Sequence, residues 1–280
     1  MVQNIKSVLI GLTKEFGPDE ASSALGYGLS LAQRAGAHVT VQAASVRLAL
    51  TSARVSKFAA GLVVTENRRL QELAEAAARS AQADAAVAGI DCTVETPHLG
   101  YRDLLNAFRG QARLNDLTIL DAESGTVNLD RGLMEALLMD SGRPLLIVPP
   151  GQDAFRARRV ILAWDGSARA ARAAADALPL LRAAEGVDVV SVTEEKDLPV
   201  AVPGAGIAMH LARHGVAATA LDVEAQDGDV AQALRNTADR SGADMIVMGG
   251  YVHSRLREMM FGGVTQSLLK QSPVPLFMAY

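Results

Sequence analysis

Two α/β domains in succession, each a five-stranded parallel sheet with helices on both faces, are expected from this sequence of 280 residues. The chain reads twice. Ser7-Val8-Leu9-Ile10-Gly11-Leu12 and Arg159-Val160-Ile161-Leu162-Ala163-Trp164 are both short β-type runs, each leading through a polar turn into a long Ala/Leu-rich stretch with helical spacing. Gly142-Arg143-Pro144-Leu145-Leu146-Ile147-Val148-Pro149 and Ser272-Pro273-Val274-Pro275-Leu276-Phe277-Met278 both read as a turn feeding a final strand. Between these ends apolar runs alternate with helical patterns, as βαβ units of a parallel sheet require. Composition agrees. Hydrophobic residues make up 49% of the chain but aromatics only 4%, so the core is built from Ala, Val, Leu and Ile, which suit helices packed closely on a parallel sheet.

In the first half, residues 37–43 and 91–97 read as strands and 116–120 as a buried one. Their counterparts in the second half are 187–193, 216–223 and 244–248. With the opening and closing runs this makes five strands per half, joined by right-handed crossovers. The boundary falls at Pro149-Pro150-Gly151-Gln152-Asp153, where two prolines and a glycine interrupt the pattern. The domains are then 1–150 and 151–280, each large enough for its own core. Residues 46–88 favour helix over a length that the second half does not match. An extended helix packing over its own sheet is expected there, with a lid or partner-binding flap at the apolar segment 58–64 as the sharper alternative.

A net charge of −4 argues against nucleic acid as the main partner, because phosphate-backbone binding leaves a basic footprint. Cys92 is the single cysteine, so an intrachain disulfide and a Cys-based metal cage are excluded, and it reads as a small hydrophobe in or near a strand. The apolar run at residues 5–12 is short and soon followed by Lys14, Glu15 and Asp19, which is not a secretory pattern. No apolar stretch approaches the roughly 20 residues that span a bilayer. A soluble, cytoplasmic protein without a membrane partner is expected.

Ligands of open α/β sheets bind at the carboxyl ends of the strands, where strand order reverses. Three pieces of the second half converge there: Ala163 with Asp165-Gly166-Ser167 after strand one, Val192 ending strand two, and the segment 248–265 after strand four. That last segment suits a phosphate. Gly249 and Gly250 let the backbone approach a ligand closely, and Gly262 and Gly263 lead into a helical run at 264–271. The amino end of that helix, at Val264 and Thr265, directs its first amides outward, and its dipole favours an anion. Val252, His253 and Arg255 lie on the connecting loop; Arg255 and Arg257 add forked donors, and His253 adds a group able to touch a phosphate.

This segment resembles the nucleotide loop of universal stress proteins, G-x2-G-x9-G-(S/T), and the twofold repeat resembles their tandem members. The similarity covers nearly the whole chain and is strongest in 156–280. The resemblance implies Rossmann-like domains of the adenine-nucleotide α-hydrolase-like kind, strand order 3-2-1-4-5, pairing through their last strands. It also implies ATP or a related adenine nucleotide, with Mg, as a regulatory ligand. Asp165 matches the aspartate and Val192 the strand-two residue that hold adenosine, while Gly249 and Gly262 match the first and third loop glycines, which hold ribose and phosphates. Two positions depart from the pattern: Val252 replaces the second glycine and Gly263 the terminal Ser/Thr. A β-branched residue is a steric obstacle where the chain needs φ > 0 or close phosphate approach; Gly263 lacks the hydroxyl but keeps its N–H.

The glycines have a plainer explanation, a tight loop and close helix packing. A nucleotide-independent interaction scaffold is accordingly the first alternative function. A weak ATP hydrolase is the second, although no general base is placed in line with a phosphate. In the first half Thr13 stands where Asp165 stands in the second, and 121–132 has no phosphate-type glycine spacing and three acids at Asp121, Glu123 and Asp130. That half reads as kept for pairing and scaffold, with a homodimer through exposed edges as a further option. His210 and His214, four apart, read as a solvated helix face. Ser167 reads as a helix N-cap and Trp164 as a core or pocket-wall aromatic.

Overall fold

The computed structural model describes residues 2–13, 22–49, 57–122, 128–193, 204–250 and 263–280. Within the first half, in chain order, these form β1 (Ser7–Leu12), α1 (Ser23–Ala35), β2 (His38–Ala43), β3 (Ser45–Val46), α2 (Lys57–Val87), β4 (Cys92–Glu95), β5 (His98–Leu99), α3 (Tyr101–Leu114), β6 (Leu117–Asp121), α4 (Asn128–Asp140) and β7 (Leu145–Val148). The second half continues with β8 (Arg159–Ala163), α5 (Ala168–Asp176), α6 (Leu178–Leu181), β9 (Gly186–Thr193), α7 (Gly204–Arg213), β10 (Ala218–Glu224), α8 (Val230–Ser241), β11 (Met245–Gly249), α9 (Gly263–Gln271) and β12 (Leu276–Ala279).

Ten strands make one sheet in the order β10-β9-β8-β11-β12-β7-β6-β1-β2-β4. Each half is a parallel set whose strands run 3-2-1-4-5 across it, and the halves join where β7 and β12 pair antiparallel, Leu146 opposite Phe277. Pairing the last strands covers both of their edges, leaving β4 and β10 as the rims. Two apolar layers follow. One face of the sheet is covered by α1, α2, α5 and α7, through residues such as Leu31, Ala81, Ala173 and Leu211; the other by α3, α4, α8 and α9, through Phe108, Leu137, Leu234 and Leu268. Both layers run across the β7–β12 junction.

Local chemistry sets the helix ends. Ser22 accepts from the Leu25 amide and starts α1, Asp229 accepts from Gln232 and starts α8, each worth about 1 kcal/mol. Gly36 stops α1 at φ 61°, a left-handed conformation that costs a side chain about 1–2 kcal/mol.

The long helix differs from expectation in two ways. Residues 45–46 are a strand, not its start: Ser45 N–H donates to Pro97 O (3.0 Å) and Arg47 N–H to Leu99 O (2.7 Å), so the chain first builds a small parallel pair, β3 with β5. Residues 50–56 lie outside those described. Only the later turns of α2 then lie on the sheet, through Ala78, Ala81 and Ala85, while Phe58, Leu62 and Val64 stand exposed. Alanine at that spacing permits close helix–sheet approach; the large apolar groups of 58–64 are not used for it.

The connection after β7 is docked on α1. Gly151 N–H donates to Ser23 Oγ (3.0 Å), which donates to Asp153 Oδ1 (2.8 Å). Tyr27, buried, meets Phe155 edge-on at 5.5 Å and donates to Arg156 O at 3.3 Å. Burial, and then the Asp244 carboxylate, push the Tyr27 phenol far above the usual tyrosine range. The folded chain therefore keeps a proton that the unfolded chain releases near pH 10, so stability is fully present below about pH 10 and is lost as pH rises beyond it. Thermal melts from about pH 9 to 11 should show a steeper fall for wild type than for Tyr27→Phe; parallel curves would exclude this residue as the cause.

Candidate functional site

Three neighbouring strand ends form the floor of a cavity of about 320 Å³. Ala163 pairs in register with Val190, and Val247 with Leu162, so Val190, Ala163 and Met248 lie in a row across β9, β8 and β11. Val230 and Leu234 of α8 supply one wall and the first turn of α9, Gly263, Val264 and Thr265, another; Trp164, Asp165, Val192 and Gly249 complete the lining. Ala163 matters by its size, because a larger side chain at the centre of that row would fill the space. The walls are apolar. Of the polar residues, Thr265 is buried and Asp165 lies at the mouth; a mostly apolar lining with a few polar groups is the usual construction of a small-molecule pocket.

Asp165 is held in a turn built by its own neighbours. Its Oδ1 accepts from the Ser167 amide (2.9 Å), Gly166 takes φ 74°, and Ser167 Oγ caps α5 by accepting from Ala170 N–H (3.1 Å). The carboxylate is otherwise exposed at the pocket mouth. Gly249 is where α5 meets β11: a Cβ there would lie 2.8 Å from both Ala170 N and the Arg169 carbonyl carbon. Gly263 is the opposite case, since a Cβ there would have open space for 4 Å around it.

Seven of the residues singled out from the sequence for a nucleotide line this pocket, Ala163, Asp165, Val192, Gly249, Gly263, Val264 and Thr265, and so does Trp164, read there as a core or pocket-wall aromatic. Gly250 does not. It turns toward the other half, where a Cβ would meet Leu138 Cδ2 at 2.5 Å, and its N–H donates to Ala279 O (2.7 Å). Val252, His253, Arg255 and Gly262 lie outside the described residues. Val190, Val230 and Leu234 were not singled out. The available signals were the period of two that puts Val190 on the side of Val192, and the i, i+4 spacing of Val230 and Leu234.

The corresponding place in the first half is filled. Counting from the registers, Gln42, Gly11 and Leu120 occupy the row that Val190, Ala163 and Met248 occupy in the second. Gly11 is covered by Phe108 and Leu120. The Tyr101 hydroxyl lies against Gly132, which holds the position of Gly263, and burial followed by the Glu135 carboxylate pushes that phenol's pKa up. Asp121, at the position of Gly249, accepts from Ser22 Oγ (2.7 Å) and Ala24 N–H (2.9 Å), so a carboxylate already occupies the amino end of α1. Gln42 is buried, with Nε2 donating to Glu95. An anion is thus met by packed side chains and negative charge.

Among the described residues no group of three or more His, Cys, Asp or Glu is placed to hold a metal, and no helix is long and apolar enough to cross a membrane. His210 on α7 and His214 in the turn after it meet with ring centres 4.7 Å apart and planes tilted by 59°, and the His214 carbonyl accepts from Arg182 Nε (2.8 Å). Cys92 is half-buried on β4, and burial raises its thiol pKa.

Residues 156–279 match the model of the Universal stress protein family. A universal stress protein of Synechocystis sp. is 25% identical over 166 residues, 58% of this chain and 56% of its own length. The stress response protein NhaX of Bacillus subtilis is 36% identical over 55 residues, 20% of this chain and 33% of its own length. The chain therefore spans about half of the first relative and a third of the second. A universal stress protein structure from Archaeoglobus fulgidus superposes with a TM-score of 0.66 over 97% of this chain and 95% of that one, at 17% identity. A functionally unknown protein from Pseudomonas aeruginosa gives 0.57 over 98% and 92%, at 14%. Likeness at these identities is one of fold.

Proposed function

We propose that this chain, whose residues 156–279 belong to the universal stress protein family, holds ATP or a related adenine nucleotide in the second-half pocket as a regulatory ligand. The observation that carries the reading is that seven residues picked for nucleotide chemistry line one apolar cavity. At about 320 Å³ it is at the small end of ligand sites, roughly 300–1,000 Å³. That is room for the adenosine part, with phosphates directed to the rim.

In this reading Val190, Val192, Leu234 and Met248 enclose the base beside Trp164, and the Asp165 carboxylate accepts from a nucleoside N–H or O–H. The first turn of α9 faces the phosphates, where the helix dipole favours an anion. A divalent ion would arrive with the phosphates rather than with a protein cage. Domains 1–150 and 151–280 divide the labour, the first as scaffold and the second as ligand site. A part in the stress response and action in the cytoplasm belong to the same proposal.

The test begins with freshly purified protein, denatured so that any released nucleotide is identified by chromatography and mass spectrometry. Calorimetric titration with ATP follows, wild type against Asp165→Ala, with the emission of Trp164, the only tryptophan, as a local reporter. Binding near one per chain is expected, with affinity at least about tenfold weaker in the variant, or roughly 1.4 kcal/mol. No nucleotide released and no heat at millimolar ATP would sink the reading and leave the scaffold.

A further inference from the structure

The pocket belongs to the second half, yet two points beside it rest on one helix of the first. Leu138 of α4 is buried, and its Cδ2 fills the space above Gly250, next to the lining residue Gly249. Gly250 is in turn tied to β12 through its bond to Ala279, and β12 is the strand that pairs across to β7. On the first turns of α9, with the Gln266 amide oxygen turned toward it, Arg131 donates through Nη1 (3.0 Å) and Nη2 (3.2 Å). Gln266 directly follows the lining residues Gly263, Val264 and Thr265. Arg131 is itself steadied by Glu135, buried one turn along α4, at 3.3 Å.

One rigid element thus touches the pocket frame at the end of β11 and at the start of α9. The first half, whose own strand-end space is filled, keeps α4 in place through Leu133, Met134 and Leu137 in the layer with Phe108. Closely packed elements transmit displacement because they cannot deform continuously.

We propose that α4 sets the affinity of the second-half pocket, with Leu138 and Arg131 as positioning residues for a site that neither of them lines. Occupancy of the pocket is reciprocally felt at α4, since coupling between sites is mutual. This rests on the nucleotide reading above for the identity of the ligand, but the coupling itself has a ligand-free readout.

The experiment uses the intact chain, in wild type, Leu138→Ala, the milder Arg131→Met, and Met139→Ala as a control on the exposed side of α4. Acrylamide quenching of Trp164 emission is measured without ligand, ATP affinity by calorimetry, and folding by thermal melt. Leu138→Ala and Arg131→Met are expected to raise quenching and to weaken ATP binding about three- to thirtyfold, the usual range for a coupling network. Met139→Ala changes neither. Wild-type quenching and wild-type affinity in folded Arg131→Met and Leu138→Ala would overturn the coupling and leave the nucleotide reading standing. A shift in quenching with no ATP heat in wild type would uphold the coupling and overturn the nucleotide.

Discussion

Phe108→Ala is expected to destabilise the chain by about 3–5 kcal/mol, seen as an earlier urea midpoint with little change in slope. Phe108 is fully buried on α3 and sits over Gly11, where a Cβ would meet its ring at 2.9 Å. The hole cannot close readily. Gly11 has no side chain to swing in, and Leu120, on the neighbouring strand β6, already packs against that glycine. Large-to-small changes cost most where the surroundings cannot collapse. Leu104, Leu120 and Leu133 share the apolar layer of Phe108, so the cavity should stay dry, and a small apolar solute such as benzene should recover part of the loss. The same variant bears on function. If ring bulk alone closed the first half, Phe108→Ala would bring a second ATP per chain; Tyr101, Gln42 and Asp121 remain in place, so the stoichiometry should stay near one. A loss below about 1 kcal/mol would show that α3 settles onto the sheet instead.

The fold was legible because its signals are local and repeated. Opening runs such as Val160-Ile161-Leu162 are buried on both faces of a parallel sheet, so they read as continuous apolar segments. The helix cap at Ser167 needed only the residue type and its place before an alanine-rich stretch, and its Oγ does accept from Ala170. The pocket was legible in part. Its rim residues carry chemistry that spacing announces, but its walls, Val190, Val230 and Leu234, have the composition of any core and are distinguished only by the small Ala163 between them. Gly250 shows the limit from the other side. Two adjacent glycines read alike in sequence, yet one faces α5 of its own half and the other faces Leu138 across the junction. The small pair β3–β5 was missed because two residues carry no period, and its partner strand is set by tertiary hydrogen bonds.

Gly249→Val should cost about 3 kcal/mol, or roughly 6–12 °C in Tm, the upper part of the range for overpacking. The atoms that a new Cβ would meet are not the flexible ends of side chains but Ala170 N, the Arg169 carbonyl carbon and Arg169 Cβ, all at 2.8 Å. Relief requires α5 to withdraw from β11. Its first turn carries the Asp165-Gly166-Ser167 bend, so ATP binding should be lost along with stability. That coincidence leaves open which demand the glycine serves, and Gly263 separates them. It lines the same pocket with nothing within 4 Å of a Cβ, so Gly263→Ala should leave Tm unchanged or slightly higher, alanine being the better helix former. If Gly263→Ala weakens ATP binding at unchanged Tm, that glycine is kept for the ligand. If it binds ATP as tightly as wild type, Gly263 serves neither the ligand nor the packing, and Gly249 is the one the fold requires.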